Sequence, residues 1–348
     1  MDRRGSEYRV VPISRDSLAR EIDSFVAACD APDRESASAR TRGIQRDVEA
    51  RARSLYRLLL GPIEPLVAGA NELCFICDAP LRRLPFGALV PPETGMRFLV
   101  EDRRILSSPD LLALHAAARR SRPRPAGTGL PPALLVGRPN VGSCLMRNYP
   151  ALAPLPDAQE ELIDIRNTLG RAKILAGPLA TKESVISEMP RAVRIHIATH
   201  RVSYPAYSGK SALLFSTVDD CDVSHAVETS LLTESEIERL DLSNADLVVL
   251  SACESGASED GPSPEGMGLA GAFLEAGART VIATVWPVED RAARDFVTAF
   301  YRELIAGKRA PGAALQAAQK NIIQKDRSGG TPARDIRAWA PYLLIGPL

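Results

Sequence analysis

Two runs of this chain stop on residues able to do chemistry. The first is Val193-Arg194-Ile195-His196-Ile197-Ala198-Thr199-His200, and the second is Leu247-Val248-Val249-Leu250-Ser251-Ala252-Cys253-Glu254-Ser255-Gly256. A thiol attacks as the thiolate, and a neighbouring imidazole both lowers the thiol pKa and later protonates the leaving amine. Cys253 with His200 is therefore the minimum set for acyl transfer. A cysteine at a strand end also fits a small buried apolar residue, so spacing alone leaves both readings open.

The elements that must position these two residues are legible around them. Each run is an apolar, β-branched strand pattern ending abruptly at its reactive residue. Further strands are expected over 72–77, 133–137, 173–175, 212–215 and 280–285. Helices are expected over 158–169, 233–240, 265–276 and 290–306, the second opened by a Thr233-x-x-Glu236 capping box. Gly277 and Gly307 close the last two. Strands alternating with helices imply a mainly parallel sheet with right-handed crossovers. Sites in such sheets gather at the carboxyl ends of the strands, where both His200 and Cys253 fall. Residues 119–132, rich in Arg, Pro and Gly, read as a loop or linker, and an amphipathic stretch at 18–26 indicates helix near the amino end.

Composition narrows the function classes. With 348 residues, 45% of them hydrophobic, the chain can bury a sizeable core in one large or two smaller domains. Lys plus Arg and Asp plus Glu each number 43, so no charge excess recruits nucleic acid or an anionic membrane. The first residues carry no apolar signal core and no stretch reaches the length of a membrane span, so a cytoplasmic protein is expected. In that setting the six cysteines read as reduced thiols rather than a disulfide framework.

The chain also resembles a known family. Residues 53–348 are similar to the CHAT domain, the caspase-like cysteine peptidase module related to separase and caspases. The similarity runs through Leu84-Pro85-Phe86-Gly87-Ala88-Leu89, His196 to His200, Ser251 to Gly256, and Glu265-Gly266-Met267-Gly268-Leu269-Ala270. It continues through Ala276 to Asp290, including Thr284-Val285-Trp286-Pro287, and ends at Trp339-Ala340-Pro341-Tyr342. The resemblance implies a caspase-like α/β fold with a mainly parallel sheet flanked by helices. Residues 1–52 would be a helical extension, 53–190 a degenerate supporting half and 191–348 the catalytic half. It implies a cysteine endopeptidase with Cys253 as nucleophile and His200 as base and acid. Its substrate would be a protein such as an effector or pro-protein, its regulator a separate activating protein, and its setting bacterial antiviral defence or programmed cell death. No cofactor, metal, nucleic acid or membrane partner is expected.

One position departs from the family. Gly usually follows the catalytic His, and its N–H joins that of the cysteine in the oxyanion hole; here the residue is Arg201. Arg201 can still donate, unless the position demands a positive φ, which is costly with a side chain. In that case the chain would be a catalytically impaired interaction module with a caspase-like fold.

Substrate preference is less sharply written. The loop after Cys253 carries Glu254, Glu259, Asp260 and Glu265 without a compensating base, which would attract a cationic substrate residue. Separases, which cut after Arg, have Trp followed by acids. Here Trp286 precedes Glu289 and Asp290, but Arg294 follows one turn later and leaves the preference open. Trp286 is expected to line the pocket wall and Asp290 its floor.

Competing sites are weaker. His196-x-x-x-His200 would face one metal on a helix, but on a strand the two residues stand about 13 Å apart. Cys74-x-x-Cys77 sits in an apolar run without a second pair, and His115 and His225 have no chemical neighbours. Gly266-Met267-Gly268-Leu269-Ala270-Gly271 does not directly follow a strand, as a dinucleotide-binding turn requires.

Overall fold

The two runs are strands because they are buried on both faces, which lets them read as near-continuous apolar stretches. In the computed structural model they are β5 (Arg194–Ala198) and β9 (Leu247–Leu250), neighbours in one eight-stranded sheet. The structure describes residues 7–30, 38–78, 80–92, 94–95, 97–108, 110–111, 114–115, 133–148, 152, 155–203, 211–217, 223–251, 268–328 and 336–347. The other strands of this sheet are β1 (Glu72–Ile76), β2 (Arg104–Ser108), β3 (Ala133–Pro139), β4 (Lys173–Gly177), β10 (Val281–Thr284) and β11 (Tyr342–Ile345). Their order is β1-β2-β11-β10-β9-β5-β3-β4. Every pairing is parallel except β10 with β11. The mainly parallel α/β sheet expected from the alternation of elements is thus present.

Side chains on a strand alternate between faces, and the sheet has a separate apolar layer on each. Ala133, Leu135, Leu247 and Val249 face α1 (Arg15–Asp30), α2 (Ser38–Leu59), α3 (Pro156–Leu169), α7 (Asp290–Ile305) and α8 (Pro311–Ser328). Leu134, Val136, Ile195, Ile197, Val248 and Leu250 face α4 (Lys182–Glu188), α5 (Glu234–Ile237) and α6 (Gly268–Glu275). Ile22, Phe25, Val26 and Cys29 of α1 and Val48 of α2 belong to the first layer, so the amino-terminal helices share the main core. The boundary expected at residue 52 falls inside α2, and that expected at 190 falls between strands of one continuous sheet.

The winding marks one place for a site. From β3 the chain moves outward to β4, then returns past β3 to β5, β9 and β10. The strand order therefore reverses between β3 and β5, and the crevice at the carboxyl ends there is where such sheets bind ligands.

A second sheet departs from expectation. The strand expected over 212–215 is β7 (Ser211–Leu214), which lies outside the main sheet and pairs antiparallel with β6 (Arg201–Ser203) and β8 (Leu231–Thr233). Only residues 204–210 connect β6 to β7, too few for the crossover that parallel pairing requires. The capping box is formed: Thr233 Oγ1 accepts the Glu236 N–H at 3.3 Å and Glu236 Oε2 accepts the Thr233 N–H at 2.9 Å. The α5 helix ends at Ile237 rather than Leu240, its final turn tightened by the Leu240 N–H to Ile237 carbonyl bond at 2.9 Å.

Cys29, Cys74 and Cys77 are free thiols, whereas Cys144 is disulfide-bonded, contrary to the expectation of reduced thiols throughout. Residues 119–132 also lie outside them. No helix of the described residues is long and apolar enough to cross a membrane.

Candidate active site

His200 stands two residues beyond β5, 4% exposed, at the carboxyl edge of the sheet. Its carbonyl accepts the Leu214 N–H at 2.9 Å, and the Thr199 hydroxyl donates to the Leu214 carbonyl, so β7 pins the turn that carries it. On the neighbouring strand the Ser251 N–H donates to the Ile197 carbonyl at 2.8 Å, tying the end of β9 to β5. Ile197 pairs with Leu250 in the parallel register. His200 and Cys253 each follow their paired residue by three positions. Adjacent strands run about 4.8 Å apart. Cys253 itself, like Asp260, lies outside the described residues.

Arg201 is the first residue of β6, and Arg138 and Lys308 are the non-glycine residues with positive φ among those described. Position 201 is therefore extended backbone, and an arginine there carries no conformational cost. In an antiparallel ladder, hydrogen-bonded and non-hydrogen-bonded pairs alternate. The bond from Leu214 to His200 makes theirs a hydrogen-bonded pair. Arg201, opposite Leu213, takes the alternate position with its N–H directed away from β7. Its guanidinium Nε donates to Ser211 Oγ at 2.8 Å.

The end of β3 forms the other wall of the crevice. Gly137 pairs with Ala198, and a Cβ at Gly137 would stand 3.0 Å from the Ala198 carbonyl oxygen. Arg138 follows with φ +47, at a register shift between Gly137 and Pro139, and its guanidinium donates to Gln159 Oε1. Side chains in the left-handed region are strained and persist only where the surrounding structure imposes them.

The expected pocket residues have defined partners. Trp286 is 2% exposed within the first core layer and donates its indole N–H to the Arg337 carbonyl at 3.2 Å. Asp290 opens α7, half-buried, and its Oδ2 accepts the Asp157 N–H at the start of α3 at 2.7 Å. Burial raises its carboxyl pKa, and the nearby charges of Asp157, Glu161 and Glu289 push the same way against that hydrogen bond. Arg294, which left the sign of this region open, turns to Asp164 at 2.9 Å and lies 3.7 Å from Asp157. No cation pairs with Asp290 among the described residues.

His196 is fully buried, and its Nε2 lies 2.7 Å from Glu161 Oε1 on α3. Tyr301 of α7 packs edge-on against its ring at 5.7 Å, and His196 Nδ1 and the Tyr301 hydroxyl are buried without hydrogen-bond partners among the described residues. Burial holds the Tyr301 hydroxyl far above its ordinary pKa. The described residues contain no cluster of metal-ligating side chains. His115 and His225 are exposed, and burial pushes the Cys77 thiol up to about 11. Sequence inspection missed Glu161, Ser211 and Glu234; the Thr233 capping box was the only local signal near any of them.

Comparison with known proteins agrees with this architecture. Residues 49–347 match the CHAT domain family. The chain is 29% identical over 333 residues to human tetratricopeptide repeat protein 28, a match covering 84% of this chain and 13% of that protein. It therefore spans about an eighth of the length of that relative. Its fold is similar to that of the Arg-specific cysteine proteinase gingipain R, with TM-score 0.53, 12% identity, and coverage of 97% of this chain and 79% of that one. A complex of the pro- and mature domains of RgpB from Porphyromonas gingivalis gives TM-score 0.52 at 12% identity, covering 96% and 77%.

Proposed function

This chain belongs to the CHAT domain family, and from that premise we propose that it is a cysteine endopeptidase using Cys253 and His200. The observation that carries the proposal is the register of β5 and β9: Ile197 pairs with Leu250 in adjacent parallel strands, and in sequence His200 and Cys253 each follow three positions later. β5 lies beside the point where the strand order reverses.

In this mechanism His200 takes the Cys253 thiol proton and the thiolate adds to the scissile carbonyl. The resulting oxyanion accepts hydrogen bonds from the backbone N–H groups of Arg201 and Cys253. His200 then gives its proton to the leaving amine as the C–N bond breaks, leaving a thioester. Water, deprotonated by His200, hydrolyses that thioester and restores the thiol. The extended backbone at Arg201 supports its role as donor and removes the strain on which the impaired-enzyme alternative depended.

Asp290, half-buried and without a cationic partner among the described residues, is the group best suited to receive a cationic side chain before the cleaved bond. The test is digestion of a diverse peptide library by the wild-type chain, Cys253→Ala and His200→Ala, with cut sites read by mass spectrometry. Cuts clustered after Arg or Lys and lost in both variants, by about a thousandfold or more, are expected. Cuts that persist in Cys253→Ala would overturn the assignment.

A further inference from the structure

Arg201 begins β6 immediately after His200, and its side chain is built into a network. Its Nε donates to Ser211 Oγ at 2.8 Å, and Ser211 is 1% exposed. The Ser211 N–H in turn donates to Glu234 Oε1 at 3.0 Å. Both charged side chains converge on Gly268, the first residue of α6: a Cβ placed there would stand 3.4 Å from Glu234 Oε1 and 4.0 Å from an Arg201 terminal nitrogen. Gly268 has φ +48, a conformation that favours glycine. The arginine therefore ties β6, which begins immediately after His200, to β7, which pins the His200 carbonyl, and its guanidinium lies beside the amino end of α6. In sequence, α6 is the helix that follows the segment bearing Cys253.

We propose that Arg201 is a positioning residue, whose side chain, clamped through Ser211 and Glu234, fixes the strand presenting the peptide N–H after His200 against the start of α6. This rests on the peptidase reading above. A backbone donor to an oxyanion works only if held in place before the reaction, and a displacement of about 1 Å can cost about a hundredfold in rate. Where glycine follows the histidine, no such side-chain clamp is possible. Here the arginine supplies a tie that a glycine at the same position would release.

The test compares Arg201→Gly, Arg201→Lys, Glu234→Ala and Glu234→Gln with the wild type, using a peptide taken from the library digest. Arg201→Gly and Glu234→Ala are expected to lower kcat by about tenfold to a hundredfold with KM unchanged. Glu234→Gln, which keeps the carbonyl acceptor for the Ser211 N–H, should recover most of the rate. Arg201→Lys, without the Nε donor, should not. The double variant Arg201→Gly with Glu234→Ala should lose little more than either single one, as residues acting as a unit do. Amide hydrogen exchange on the same proteins should show faster exchange confined to 200–203 and 268–272.

An Arg201→Gly chain as active as the wild type, or more so, would overturn the proposal. So would a loss appearing only in KM, which would place the guanidinium on the substrate, or a loss accompanied by accelerated exchange throughout the main sheet, which would make it a general stability effect. Absence of Cys253-dependent cleavage by the wild type would overturn the peptidase reading and this proposal with it. Wild-type cleavage that survives Arg201→Gly would overturn this proposal alone.

Discussion

At the scale of single residues, the buried His196 and Glu161 pair and the half-buried Asp290 carry opposite electrostatic consequences. His196 has Glu161 as its hydrogen-bond partner, 2.7 Å away. Removing one member of a buried hydrogen-bonded pair strands the other without solvent, so Glu161→Ala should cost about 1–3 kcal/mol, measured by urea unfolding. Glu161→Gln, which retains an acceptor, should cost visibly less. Asp290 is the reverse case. Its folded-state pKa lies above the ordinary carboxyl value of 3.8, burial being the largest cause, so its ionisation opposes folding increasingly as the pH rises above 3.8 and fully above the raised value. Asp290→Asn is therefore expected to melt higher than the wild type at pH 7, with the difference vanishing below about pH 3.8. If Asp290 is the pocket floor, the same variant should lose cleavage after basic residues. Thermal scans at the two pH values and one set of peptide kinetics read both effects.

At the scale of elements, the site depends on how closely β3 approaches β5. Gly137 permits that approach, because a methyl group there would meet the Ala198 carbonyl oxygen at 3.0 Å and Ala198 Cβ and Leu162 Cδ1 at 3.2 Å. Gly137→Ala should therefore destabilise by about 1–3 kcal/mol. On the proposed peptidase reading it should also lower the cleavage rate beyond that loss, since the displaced strands form the wall beside His200. Chemical denaturation followed by activity at a temperature where the variant is fully folded separates the two. The Thr233 cap belongs to the same scale. Thr233→Ala should cost about 1 kcal/mol, read by chemical denaturation. It also loosens the short helix that holds Glu234 against Ser211, so kcat should fall while KM holds.

At the scale of the whole molecule, the amino-terminal helices are part of the fold. Ile22 and Phe25 are fully buried and Val26 nearly so, all in the layer that also holds Trp286, Phe296 and Trp339. Burying each such side chain is worth about 1.5–3 kcal/mol, against a total stability of roughly 5–15 kcal/mol for a domain. Deleting residues 1–30 is therefore expected to leave an aggregation-prone chain without a sharp unfolding transition, as judged by calorimetry and size exclusion. A soluble, cooperatively melting truncation would show that the helices only decorate the sheet. The satellite sheet β6-β7-β8 plays a complementary part. It buries Ala212, Leu214 and Leu231 against Leu145 and Val227, and so holds the turn at His200 from outside the main sheet.

What the sequence determined by itself was whatever is encoded locally. The apolar runs of β5 and β9, their abrupt ends at His200 and Cys253, the alternation of strands and helices, and the Thr233 capping box are all patterns within a few residues. What only the tertiary structure decided were relations between distant positions. The chain order does not state that β11 runs antiparallel to β10 and parallel to β2, or that residues 211–214 leave the main sheet. Glu161 meets His196 across 35 positions, and Asp157 donates to Asp290 across 133. Neither contact leaves a periodic trace in the sequence, because each depends on how a helix is laid across the sheet. The extended backbone at Arg201 belongs to the same class, because it is set by pairing with β7 rather than by the identity of the residue.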